Sequence, residues 1–143
     1  HLSSALRAQP TQENLQTLQK YVEEVYLHQV ITSQDGQVTA RIKDLDLALD
    51  QRKGGEVDAD EWRVHFHVPL HAPPGGGLDD TRNHVLQTLD WLQENPDSCH
   101  HLEMETYTWE VLPEELRSFD VVEQITKEYR WTLEALGERG LGQ

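Results

Sequence analysis

The sequence predicts an α/β fold with parallel strands, built as part of a β/α barrel. Three observations predict it. Strand-like and helix-like stretches alternate along the chain. Two strand-like stretches, 62–70 and 101–109, alternate strictly between apolar and polar residues. In each, the polar side carries residues that bind metals or move protons: Arg63, His65 and His67 in one, Glu103 and Glu105 in the other. Two such strands suggest one polar interior, as at the chemical end of a β/α barrel, with the apolar sides turned to helices.

The 143 residues suffice for one domain with a real core, although the hydrophobic content of 36% is lean. Lys and Arg number 12 against 26 Asp and Glu, a net charge of −14. Phosphate backbones and anionic membranes repel such a chain, which argues against nucleic acid as a partner. No apolar run approaches the ~20 residues of a membrane span. The single cysteine, Cys99, forms no internal disulfide, and this fits a reducing, cytoplasmic compartment. No basic-then-apolar leader is visible, and the chain opens in strand-like sequence at His1, as the end of something longer would.

Residues 1–6 read as the last half of a strand. Pro10 and Thr11 open a helix over 11–26, with Leu15, Leu18, Val22 and Val25 as its apolar stripe. Asp35-Gly36 between two β-type runs signals a hairpin over about 28–43, taken as an insertion into the βα repeat. Asp44 or Asp46 caps a short helix through about Leu49. Stretches 51–61 and 71–79 are rich in glycine, proline and charge and read as mobile loops. A helix with Val85, Leu86, Leu89 and Leu92 follows a cap at Asp79, Asp80 or Thr81 and stops at Asn95-Pro96. Pro113 opens a short helical turn. Asp120 with Glu123 resembles a capping box for a last helix, whose Val121, Val122, Ile125, Tyr129, Leu133 and Leu136 run to Gly137. The one domain is thus 1–137, with 138–143 as a tail.

The His65-x-His67 pair is the sharpest chemical signal, because i, i+2 spacing on a strand puts both imidazoles on one side. Against it stands a pair of ordinary hydrogen-bonded histidines. Glu103 and Glu105 repel each other unless a metal, Arg63 or a lysine lies between them, or unless they face water on an edge strand. Strand direction favours His67 over His65 and Glu105 over Glu103. Cys99-His100-His101 enters at the wrong end of its strand, and His28 reads as structural. The Pro-Gly run 73–77 lacks the Gly-Lys-Ser/Thr ending of a phosphate loop.

Together, the segments around 1–7, 26–30, 64–70 and 101–109 resemble the C-terminal part of the xylose-isomerase-like TIM-barrel family of sugar-phosphate isomerases and epimerases, in its EboE-like metabolite-traffic branch. The resemblance implies the last units of a (β/α)8 barrel, since a whole one needs about 200–250 residues. It implies a divalent metal (Mn, Co, Zn or Mg), with His1 matching a strand-borne ligand and Glu103 or Glu105 the last-strand glutamate. His65 and His67 join the metal set from the reading of the residues, and Glu103, Glu105 and His67 are the acid/base candidates. The expected function is to act on, or to bind, a small hydroxy-carbonyl metabolite. The alternatives are a non-catalytic binder serving a membrane-protein partner, without inserting itself, or a metal-dependent hydrolase. The N-terminal part of the barrel is the remaining expected partner.

Overall fold

The computed structural model describes residues 1–55, 58–105 and 120–141. In order these form β1 (Ser4–Ala8), α1 (Gln12–Leu18), β2 (Val30–Gln34), β3 (Gln37–Ile42), α2 (Leu45–Lys53), β4 (Glu61–Val68), β5 (Asp79–Asp80), α3 (Arg82–Glu94) and α4 (Val121–Gly137). The five strands make one sheet in the order β3-β2-β4-β1-β5, and each neighbouring pair is antiparallel.

This overturns the partial barrel. Alternation of strand and helix predicts parallel neighbours only if consecutive strands lie side by side. Here β4 slots between β1 and β2, and β2 slots between β3 and β4. Each strand–helix–strand unit is therefore split by an antiparallel strand. The hairpin is not an insertion either, because β2 and β3 are integral to the sheet and β3 is its edge. Its turn has positive φ at both Asp35 (50°) and Gly36 (74°), the backbone that a two-residue hairpin requires. Among the described residues the one parallel pairing is an isolated bridge between Leu2 and Met104. The expected strand over 101–109 is thus reduced to that bridge within 101–105. Residues 106–109, with Tyr107 and Trp109, lie outside the described residues, as does the Pro113 turn.

One side of the sheet is sealed. Trp62, Val64, Phe66 and Val68 of β4, Leu6 and Ala8 of β1 and Val30 of β2 pack on Leu18 of α1, on Tyr21, and on Leu45, Ala48 and Leu49 of α2. Asp44 caps α2 by accepting from Leu45 N at 2.8 Å, and the same Oδ1 accepts from His28 N at 3.0 Å. Helix α1 ends earlier than its apolar stripe suggests. Val22 is extended, and the Glu23 carboxylate accepts from the backbone N–H of Val25 and Tyr26, both at 2.6 Å. That local cap competes with helix continuation among β-branched residues.

A second, smaller core joins Leu2 and Leu70 to Val85, Leu89 and Leu92 of α3 and Ala135 of α4, with Leu102 and Met104 against it. Helix α4 starts at the expected Asp120 cap, but its faces are reversed. Gln124, Glu128 and Thr132 are buried, while Val121, Val122, Ile125, Tyr129 and Leu133 are exposed. Glu128 is the reason: its Oε1 accepts from Leu70 N at 2.9 Å inside the protein. The glycine run past β4 packs closely on α1. A Cβ at Gly76 would stand 2.9 Å from Thr17 Cγ2, and Gly75, Gly76 and Gly77 all have positive φ.

Candidate functional site

The other side of the sheet is open and polar. It carries Ser3, Ala5 and Arg7 beside β1 residues turned inward, Arg63, His65 and His67 on β4, and Gln29, Ile31 and Ser33 at and along β2. The exposed Arg63 and His65 alternate with buried Trp62, Val64 and Phe66 because β4 seals only its other side. Toward the end of β4 the stretch 101–105 runs alongside the start of the chain, held by Leu2 N to Glu103 O at 2.6 Å and Glu105 N to Leu2 O at 3.1 Å. This brings Glu103 and Glu105 to the same corner as His67.

The two carboxylates are reconciled by His1. Its Nδ1 lies 2.7 Å from Glu105 Oε2, and its Nε2 lies 3.2 Å from Glu103 Oε2. Only a protonated ring can donate to both. His101 adds a contact on the outer side, Nε2 to Glu103 Oε1 at 2.9 Å. His1 therefore occupies the place between the glutamates that a metal, Arg63 or a lysine was expected to fill.

His67 is buried, and its ring is fixed from behind. Nδ1 lies 2.6 Å from the Glu105 carbonyl and 3.0 Å from Ser3 Oγ. A carbonyl only accepts, so the Nδ1 proton is on the ring and Nε2 carries a lone pair. His65 Nδ1 lies 2.7 Å from Gln29 Oε1. The two Nε2 atoms stand 3.1 Å apart: with an Nδ1 proton on both rings they offer two lone pairs to one cation, and with an Nε2 proton on His65 they share a hydrogen bond. Burial lowers the His67 pKa below the usual histidine value, opposed by the Glu105 carbonyl and aided by the neighbouring His65 and His28.

Two nitrogens bound to a common first-row metal at ~2.0–2.1 Å stand ~2.9–3.4 Å apart for octahedral to tetrahedral angles. The observed 3.1 Å fits. The backing hydrogen bonds also fit, since metal-binding histidines usually donate their other N–H to a carbonyl or carboxylate.

The four metal candidates therefore divide. His65 and His67 converge through Nε2. His1 and Glu105 converge on each other, and Glu105 Oε2 lies 4.0 Å from Nδ1 of His67, on the side away from its lone pair. Among the described residues no group of three or more His, Cys, Asp or Glu is placed to hold a metal ion. Any metal on the histidine pair has coordination positions left for a ligand. Comparison with known protein families, with curated proteins and with solved structures finds no match. The antiparallel sheet removes the barrel that the resemblance implied, and these comparisons neither support nor refute an isomerase or EboE-like relationship.

His28 is buried, its Nδ1 donates to the His65 carbonyl at 3.0 Å, and its ring lies 4.6 Å from that of Phe66. Cys99 is exposed, with its thiol 3.2 Å from the His101 carbonyl oxygen. Sequence reasoning missed Ser3, Gln29 and His84. Ser3 and Gln29 reach the site through strand register, for which neither carries a local signal. His84 lies on α3 and meets Arg63 Nη1 at 3.2 Å.

Proposed function

We propose that the open side of the sheet is a divalent-metal site, with His65 and His67 as ligands through Nε2, that takes a small hydroxy-carbonyl compound. The observation that carries this reading is the pair of Nε2 atoms 3.1 Å apart, with each Nδ1 already set against an oxygen. A hydroxy-carbonyl compound chelates through two adjacent oxygens, and a two-histidine site leaves positions for both. A bound metal would polarise such a carbonyl. The protein supplies the rest. The Glu105 carbonyl and Gln29 orient the ligand rings, and His1 with Glu103 and Glu105 offers protons and carboxylates at the rim. The exposed, unpaired Cys99 supports a reducing, cytoplasmic setting. Among the described residues no helix is long and apolar enough to cross a membrane.

Calorimetric titration of the full chain with Zn²⁺, Mn²⁺ and Co²⁺ tests the reading. It predicts one ion per chain, with affinity lost in both His65→Ala and His67→Ala. Unchanged binding in either variant, or none in the wild type, would count against it. A second reading keeps the site but removes turnover: a holder of the same compound, favoured because His1 already engages both glutamates. Ligand binding without conversion by the metal-loaded protein would decide for it.

A further inference from the structure

Strand register sets four residues side by side on one rung of the open face. Arg41 pairs with Ile31, Ile31 with Arg63, and Arg63 with Arg7, across β3, β2, β4 and β1. The rung ends at Asp79 of β5, the partner of Arg7. Three of the chain's 12 basic residues thus line a single row on a protein of net charge −14. Like charges directly opposite each other in a sheet are destabilising, and Arg7 opposite Arg63 is such a pair.

The acids nearby relieve the row only in part. Asp79 binds Arg7, and the two hold each other charged: the pKa of Arg7 is raised and that of Asp79 lowered, chiefly by their shared hydrogen bond. Glu61 Oε1 takes Arg63 Nε at 2.7 Å. The Nη1 edge of Arg63 meets His84 Nε2. A guanidinium only donates, so His84 Nε2 is the acceptor in this contact. Arg41 is exposed and makes no ion pair among the described residues. Beside the row lies a cavity of about 550 Å³ whose lining includes Arg63, Ile31, Val38 and Ser33 together with the carboxylates of Asp60 and Glu61.

We infer that this arginine row is an oxyanion subsite, so that the ligand of the histidine pair is a small organic anion bearing a carboxylate or phosphate. Arg63 and His65 share a strand side two residues apart, about 6.6 Å at ~3.3 Å per residue. A compound of a few carbons spans that distance, with its oxygens at the histidines and its anionic end over Arg63 and Arg41. The inference rests on the proposed function for what lies at the far end, but the row itself can be tested without metal.

The test follows arginine Nε–Hε signals of the full chain by NMR, at constant ionic strength, during titration with inorganic phosphate and separately with malonate. Saturable shifts at Arg63 and Arg41 are expected, with affinity at least tenfold weaker in Arg63→Gln or Arg41→Gln and unchanged in Arg130→Gln on α4. Saturation by phosphate alone assigns a phosphoryl group, and by malonate alone a carboxylate. A linear drift no larger than that given by chloride, or equal affinity in wild type and both row variants, overturns the inference. Repeating the titration in His65→Ala separates the readings. Anion binding that persists there supports the row whatever the fate of the metal site, and a folded variant that has lost it shows that the row does not act on its own.

Discussion

Gln29 is the residue through which the histidine pair can be tuned without removing a ligand. His67 is oriented by a main-chain carbonyl, which no substitution deletes, whereas His65 leans on the Gln29 side chain at 2.7 Å. In Gln29→Ala the His65 ring loses its one side-chain partner at Nδ1. It is then free to rotate and to place its proton on Nε2, the atom the metal needs. Loss of such an orienting partner typically weakens metal binding 10–100-fold, or about 1.4–2.7 kcal/mol. His65 is exposed, so water replaces part of what is lost, and the lower end, about tenfold, is expected here. Gln29→Glu keeps an acceptor and should retain or raise affinity. Calorimetric Zn²⁺ titration at pH 7.5 measures both variants. Equal affinity in wild type and Gln29→Ala, alongside clear loss in His65→Ala, would refute the orienting role and with it the assigned tautomer.

The remaining predictions concern stability and can be checked by chemical or thermal unfolding. His67 and His71 both have pKa values lowered chiefly by burial, so the unfolded chain takes up protons first as pH falls below about 6.5. Stability should decline from there until the folded-state values are reached, and His71→Gln should flatten part of that slope; a pH-independent midpoint between 7 and 5 would contradict this. Glu128→Ala leaves Leu70 N–H buried without its acceptor and should cost about 1–3 kcal/mol, whereas Glu128→Gln keeps an acceptor and should cost less. Gly76→Ala must strain a φ of 61° and push against Thr17, so it should destabilise by at least ~1 kcal/mol, while Gly137→Ala, with open space around it, should not. Phe66→Ala, at 1% exposure, should cost about 3–5 kcal/mol.

Local patterns in the sequence carried much of this fold. Period-two alternation located β4, Asp35-Gly36 located the hairpin, Asp120 marked one helix start, and of the two candidates Asp44 and Asp46 the cap of α2 is Asp44. Strand order did not follow from them. A strand–helix–strand alternation reads the same whether the two strands touch or leave a slot, and only the pairing of β4 with both β1 and β2 decides it. Helix α4 fails for a related reason. Its apolar periodicity marks one side, but the buried hydrogen bond of Glu128 to Leu70 couples residues 58 apart in sequence and turns the other side inward. At the site, the i, i+2 spacing of His65 and His67 was legible because it is local. The role of His1 between Glu103 and Glu105 was not, because it depends on the Leu2–Met104 bridge. The arginine row is likewise a product of register, since nothing in the spacing of 7, 41 and 63 announces it.

The central claim is that His65 and His67 present two lone pairs to one metal. Without a metal, the same distances are satisfied if Gln29 turns its amide to donate to His65 Nδ1, so that His65 Nε2–H bonds to His67 Nε2. Long-range ¹⁵N–¹H NMR of the histidine rings during Zn²⁺ titration separates the two states directly. The account predicts protons on Nδ1 of both rings and a joint shift of both Nε2 resonances, complete at one equivalent. A proton on His65 Nε2 that persists through the titration, with neither Nε2 resonance moving, would contradict it.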